Sequence, residues 1–172
     1  MIKMKDILRE YRETKQIVFV TGTVKTGINF ESQRNVGRAA IQNQGYRNIK
    51  IFHGDTKLAE DGSSLYDYLK VNNVHLVILF SVSCQYANRV ASIVGADNVY
   101  CIEPWCCPRG ERDLEKGEVK SYWNQIDASH FYVNSTTCNR GNGAQENIPE
   151  SNFTPRGTGH VASLTWAIGN IL

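Results

Sequence analysis

VHLVILFSVSC, at residues 74–84, is the most strongly apolar stretch of this 172-residue chain. Seven of its first nine residues are apolar. A near-continuous apolar run of this length is typical of a strand that is buried on both faces of a parallel sheet. Three shorter runs rich in β-branched and aromatic residues predict further strands, namely QIVFVTG (16–22), NIKIFHG (48–54) and NVYCIE (98–103). Residues 74–80 are therefore expected near the centre of a sheet.

Segments with helical periodicity alternate with these strands. They are residues 4–14, 32–43, 61–73, 85–95 and 159–172, and SHFYVNST (129–136) could add a fifth strand. Strands that alternate with helices of about ten residues favour parallel pairing through right-handed crossovers. The predicted fold class is α/β, a single three-layer domain with a mainly parallel sheet of about five strands.

The predicted domain organisation is one α/β domain over residues 1–172. Residues 15–103 form its core of strands and helices, and residues 159–172 form a closing helix. Residues 104–158 read as a polar excursion followed by a loop. Because residues 138–158 are rich in Asn and Gly and offer little apolar surface, ordering them is costly, so we expect this part to be mobile.

Charge and composition exclude several classes of function. Nineteen basic and seventeen acidic residues give a net charge of +2, without long runs of one sign, so neither nucleic acid nor a membrane surface is indicated as a partner. No apolar segment approaches the length of a transmembrane helix, and the first ten residues lack a signal-peptide pattern. We therefore expect a cytoplasmic protein whose five cysteines are reduced.

Chemically useful residues follow the predicted strands, at the edge where open parallel sheets bind ligands. His53 ends one strand and Cys84 ends another. An imidazole that accepts a thiol proton and a thiolate that attacks a carbonyl are the pair that thiol catalysis needs. Cys84 also lies where the next helix begins, and a helix N-terminus lowers the pKa of a thiol.

The motifs IKIFHGD and VHLVILFSVSCQ resemble those of the caspase-like cysteine peptidases, a group that includes caspases, metacaspases, gingipains, separase, legumain and the CHAT domains. The resemblance covers about residues 48–103 and implies a caspase-like α/β fold acting on a peptide or protein substrate. It implies His53 as general base, Cys84 as nucleophile, and the backbone N–H groups of Gly54 and Cys84 as oxyanion donors. Glu103, one strand beyond Cys84, is the candidate acidic wall for a basic substrate side chain.

A second hypothesis starts from the first strand and needs no thiol chemistry. VFVTGTVKTG places a Gly-rich turn between a strand and a helix, where nucleotide phosphates bind, although it matches neither GxGxxG nor GxxxxGK[ST]. The chain would then be a Rossmann-like module that binds or hydrolyses a nucleotide-derived ligand. Its candidate binding residues are Thr21, Gly22, Thr23, Asp55 and Ser83, with Glu103 at the same edge.

Two other readings concern structure and metals. Cys84 could be a small buried side chain at a strand end, with His53 a hydrogen-bonded loop residue. A zinc site could draw on His130, Cys101, Cys106, Cys107 and Cys138, but no C-x2-C pair exists and Cys106 and Cys107 are adjacent. We therefore predict neither a metal nor another cofactor.

Overall fold

The computed structural model describes residues 1–22, 28–104, 111–113, 118–120, 125–136 and 148–172. Seven strands lie in these ranges: β1 (Ile17–Val20), β2 (Ile49–Phe52), β3 (Leu76–Phe80), β4 (Val99–Ile102), β5 (Glu111–Asp113), β6 (Glu118–Lys120) and β7 (Phe131–Tyr132). Five of them form one sheet in the order β2-β1-β3-β4-β7, and every neighbouring pair in it is parallel. The predicted α/β class with a parallel five-stranded sheet is confirmed. The pair β5–β6 is a separate antiparallel hairpin that the sequence did not predict.

Helices cover both faces of the sheet. The structure has α1 (Met4–Thr14), α2 (Phe30–Asn43), α3 (Leu65–Val71), α4 (Cys84–Val94) and α5 (His160–Ile171). Helices α2 and α5 pack together on one face, and α3 and α4 pack together on the other. The connection that follows β1 therefore leads to the opposite face from the connection that follows β3, which defines a doubly wound sheet.

The two faces have separate apolar cores because side chains alternate along each strand. In β1, Ile17 and Phe19 point to the α2–α5 face, whereas Val18 and Val20 point to the α3–α4 face. All four of these side chains are fully buried. Burial on both faces explains why the strands of this sheet are almost continuously apolar in the sequence.

The expectation that residues 138–158 lack apolar anchors is wrong for their C-terminal part. Ile148 and Phe153 are buried in the α3–α4 core, and Phe153 forms a parallel bridge with Val133, next to β7. The buried side chain of Asn152 donates to the carbonyl groups of Ser129 and Phe131, so this segment also has polar anchors. Residues 137–147, which include the rest of the predicted loop, lie outside the described residues.

Candidate functional site

The carboxyl ends of three central strands lie at one level. Val20 pairs with Leu79, and Phe80 pairs with Ile102. Continuing this register beyond the strand ends brings Gly22, Ser81 and Glu103 to the same edge of the sheet. Between β1 and β3 the direction of winding reverses, so this edge is the topological switch point of the fold.

Ser81 and Glu103 have the same unusual backbone conformation at this edge. Their φ angles are 52° and 47°, in the left-handed region that residues with a Cβ rarely adopt. Backbone hydrogen bonds hold both residues in place. The N–H of Ser81 donates to the carbonyl oxygen of Ile102, and the N–H of Glu103 donates to the carbonyl oxygen of Tyr132, each with an N···O distance of 2.8 Å. Such a conformation costs about 1–3 kcal/mol and is concentrated at functional sites. Both residues are also buried, with 8% of their surface exposed.

Glu103 accepts a bifurcated hydrogen bond from His160, the first residue of α5. The Nδ1–H of His160 donates to the carboxylate at 3.0 Å from Oε1 and 3.1 Å from Oε2. The Glu103 side chain is only 7% exposed, whereas that of His160 is 38% exposed. Burial raises the pKa of Glu103, and hydrogen bonds from His160 and Asn134 oppose that rise. A buried carboxyl group with a raised pKa is a candidate acid or base.

Asn134 connects this carboxylate to the segment before α5. Its side chain is buried, and its Nδ2 donates to the carbonyl oxygen of Thr158 at 2.9 Å. Its Oδ1 accepts from the N–H of Thr136 at 2.9 Å. Because the same side chain also hydrogen-bonds Glu103, the end of β4, the end of β7 and the start of α5 form one polar network.

Helices α2 and α4 follow β1 and β3 and so begin on the carboxyl side of the sheet, and α5 begins at His160, beside Glu103. The side chain of Asn29 caps α2 by accepting from Ser32 N–H at 2.8 Å, and that of Ser83 caps α4 by accepting from Tyr86 N–H at 3.2 Å. Gly159 precedes α5 and supplies no side-chain cap. The partial positive charge of each helix N-terminus favours an anionic group nearby.

The turn after β1 is held by hydrogen bonds inside the fold. Gln33 of α2 is buried, and its Oε1 accepts from Gly22 N–H at 2.5 Å while its Nε2 donates to the carbonyl of Ile28 at 2.8 Å. Thr21 is fully buried, and its Oγ1 accepts from the N–H of Gly54 at 3.3 Å. The backbone amides of Gly22 and Gly54 therefore have partners within the chain. The third candidate of this turn, Thr23, lies outside the described residues.

His53 and Cys84 follow strands that are not neighbours. His53 directly follows β2, and Cys84 begins α4 after β3. Because β1 lies between β2 and β3, two strand spacings, about 9–10 Å, separate these strands. His53 Nδ1 accepts from Asp55 N–H at 3.0 Å, and its ring packs against Phe30 with centroids 4.1 Å apart. In a neutral imidazole this bond places the proton on Nε2, whereas a base acting through Nε2 needs the other tautomer. The His53–Cys84 pair stays a prediction.

The remaining candidates have these positions. The backbone N–H of Asp55 contacts His53, and its carboxylate is near enough to Tyr86 of α4 to help burial raise the pKa of that phenol. Burial also raises the pKa of the Cys101 thiol. His130 Nδ1 lies 2.9 Å from the Val99 carbonyl oxygen. Within the described residues, no three His, Cys, Asp or Glu side chains converge as metal ligands, and Cys106, Cys107 and Cys138 lie outside those residues.

Sequence reasoning missed His160, Asn134, Ser81 and Gln33. None of the four was predicted to have a chemical role, and Ser81 lies inside the motif VHLVILFSVSCQ, in which only Cys84 and Ser83 were singled out. Position was an available signal for two of them, because Ser81 directly follows β3 and His160 is the first residue of α5, beside Glu103. Glu103 was predicted there, but as a wall for a substrate side chain rather than as the partner of His160.

The comparisons with protein-family models, with curated proteins and with solved structures find no match to this chain. Among the helices that the structure describes, none combines the length and the apolar character needed to cross a membrane.

Proposed function

We propose that this protein binds a small nucleotide-derived ligand in the crevice between the carboxyl ends of β1 and β3. The observation that supports this most directly is the strand order β2-β1-β3-β4-β7, which reverses its winding between those two strands. Doubly wound sheets bind ligands at that point, and a common arrangement with the same strand order binds flavin mononucleotide there.

The electrostatics of the edge support a phosphate-bearing ligand. Helices α2 and α4 begin after β1 and β3, the two strands of the crevice, and Ser83 is the N-cap residue of α4. Backbone N–H groups and the helix dipole together favour a phosphate at such a place. The strained backbone at Ser81 and Glu103 is consistent with a functional role for the same edge.

Glu103 and His160 are the groups that we assign to acid–base chemistry on the bound ligand. Hydrolysis would use a water molecule whose oxygen bonds to the electrophilic atom of the ligand while the bond from that atom to its leaving group breaks. The water proton would pass to the Glu103 carboxylate and from there to the leaving group, which restores the carboxylate. The imidazole of His160 holds that carboxylate in place through both oxygens. General bases are effective when their pKa lies closer to the working pH, which is the direction in which burial moves Glu103.

A thermal-shift screen tests the binding function. We expect at least one of ATP, NAD, FMN and ADP-ribose, each at 1 mM, to raise the melting temperature. A ligand at about 100 times its Kd adds about 2.7 kcal/mol, or about 5–10 °C for a domain of this size. Ser83→Asp preserves a good N-cap but adds a negative charge at the crevice, so it should remove the shift. The matched control is Ser64→Asp at the N-cap of α3, which should retain it.

Absence of a shift with all four ligands would contradict the proposal, as would an equal shift in the Ser83→Asp variant. The acid–base role is tested separately, by following the ligand that shifts the protein for conversion to products by chromatography. Glu103→Gln should retain binding and lose turnover, whereas Glu13→Gln on α1, away from this edge, should leave both unchanged.

Cysteine-peptidase activity is a second candidate because of one specific observation. Cys84 is the first residue of α4, and the start of a helix is a common place for a nucleophilic cysteine. Alkylation of Cys84 ahead of the other cysteines by dilute iodoacetamide at pH 6 would support this candidate.

A further inference from the structure

Helix α1 has an amphipathic face that the described part of the molecule leaves uncovered. None of its residues is buried. Met4, Ile7, Leu8 and Tyr11 recur at spacings of three and four and are 68%, 47%, 47% and 45% exposed. These four residues, which we call the α1 stripe, form one continuous apolar face of the helix. Four large apolar side chains together on one helix differ from the scattered exposed residues of an ordinary surface.

The helix is attached to the rest of the protein at its last turn. The ring of Tyr11 meets the ring of His75 edge-on with centroids 5.9 Å apart, and the Nζ of Lys15 lies 5.1 Å from the centroid of Tyr11. Toward the other end, the ion pair between Arg9 and Asp6 lies within the helix itself. The first two turns of the stripe are therefore available to a partner.

The charges of α1 discriminate between possible partners. The helix has three basic and three acidic residues, so its net charge is zero. At about 100° per residue, Lys5 and Arg12 lie along one edge of the stripe and Glu10 lies along the other edge. Asp6 and Glu13 lie opposite the stripe. Helices that lie on anionic membranes are basic across the polar face, so this distribution fits a protein partner better.

We propose that the α1 stripe pairs with the α1 stripe of a second copy of this chain, with the two helices parallel. A two-fold axis along the helices places the basic edge of each helix, with Lys5 and Arg12, against the Glu10 edge of the other. An antiparallel pair would instead place like charges together. Complementary charges at the edges of an apolar seam select partner and orientation in this way.

Sedimentation velocity between about 5 and 200 µM tests this proposal. The wild type should approach twice the monomer mass at the upper concentration. Leu8→Glu, which places a charge in the stripe, should remain monomeric. Val71→Glu is the matched control, because Val71 is 81% exposed on α3 and lies outside the stripe. Circular dichroism of each variant verifies that the fold is retained.

Charge variants test the orientation. Glu10→Lys should raise the dimer Kd roughly threefold to tenfold, since it replaces an attraction with a repulsion at both symmetry-related edges. Adding Lys5→Glu and Arg12→Glu to that variant should restore the wild-type Kd within about twofold, because the edges are again complementary. A monomeric wild type, dimers of Leu8→Glu, or an unchanged Kd in Glu10→Lys would each overturn the proposal. If the monomeric wild type also sediments with phosphatidylserine vesicles, the partner of the α1 stripe is a membrane surface and the proposal is overturned.

Discussion

Replacing Gly54 with alanine should destabilise the protein because of a contact at the carboxyl edge of the sheet. A Cβ at this position would lie 2.2 Å from the carbonyl oxygen of Thr21 and 3.2 Å from the carbonyl carbon and oxygen of Gly22. Relief of the first contact requires a movement of roughly 1 Å between two pieces of backbone. Thr21 cannot move freely, because its N–H donates to Phe52 at 3.0 Å within the ladder between β1 and β2.

We expect Gly54→Ala to lower the free energy of unfolding by about 2–3 kcal/mol, in the upper part of the range of about 1–3 kcal/mol for overpacking, because the atoms in conflict belong to the backbone. For a domain of this size, the melting temperature should fall by about 5–10 °C. Urea unfolding followed by circular dichroism at 222 nm measures the difference directly.

Gly169→Ala is the matched control. Its new Cβ would meet nothing closer than Gln44 Nε2 at 3.7 Å, and alanine is favoured over glycine inside a helix by about 1 kcal/mol. This control should therefore be neutral or more stable than the wild type. A loss of less than about 0.5 kcal/mol in Gly54→Ala would refute the reasoning, because the two backbone segments would then have to separate at almost no cost.

Three further predictions concern the edge and the thiols. Because burial raises the pKa of Glu103, the folded state binds more protons than the unfolded state between the ordinary pKa and the raised pKa. The difference in free energy of unfolding between the wild type and Glu103→Gln should therefore be largest below the ordinary pKa of a glutamate and should fall as the pH rises through the raised pKa of Glu103. Urea titrations that give the same difference at every pH would contradict this prediction. Gln33→Met should lower the free energy of unfolding by about 2–4 kcal/mol, because it removes the side chain that hydrogen-bonds the Gly22 N–H and the Ile28 carbonyl. A decrease of less than about 1 kcal/mol in urea unfolding would contradict this role of Gln33. In the native protein at pH 6, dilute iodoacetamide should label Cys84 first and leave Cys101 unlabelled, since burial raises the pKa of the Cys101 thiol. Peptide mass spectrometry measures the labelling of each cysteine, and labelling of Cys101 before Cys84 would contradict this prediction.

The fold could be predicted from the sequence because its strands are buried on both faces. Apolar runs such as residues 76–80 have no polar alternation, and this pattern is typical of parallel strands between two helical layers. The boundaries were less accurate, since the predicted strand extended over residues 74–84 whereas β3 is Leu76–Phe80. The positive φ angle of Ser81 explains this difference, because the chain turns out of the sheet at a residue that no turn signal marks.

The candidate site was predicted only in part because its contacts are distant in the sequence. Glu103 and His160 are separated by 57 residues, so no local motif connects them. Cys84 and His53 attracted attention through their chemistry, yet the strand order that places β1 between their strands is a property of the whole sheet. Residues 148–154 show the same limit, because Ile148 and Phe153 are isolated apolar residues in a polar stretch and only the tertiary fold buries them.

Binding of a nucleotide at the switch point is tested most directly by titrating the ¹⁵N-labelled protein with the ligand that gives the largest thermal shift. Two-dimensional NMR then reports each backbone amide separately. We expect the largest chemical-shift changes at Gly22, Ser81, Ser83 and Glu103, where the carboxyl ends of β1, β3 and β4 meet. The amides at the opposite edge, such as His75, should move little. Changes concentrated at the opposite edge or on α1, or no changes at millimolar ligand, would contradict the proposed function.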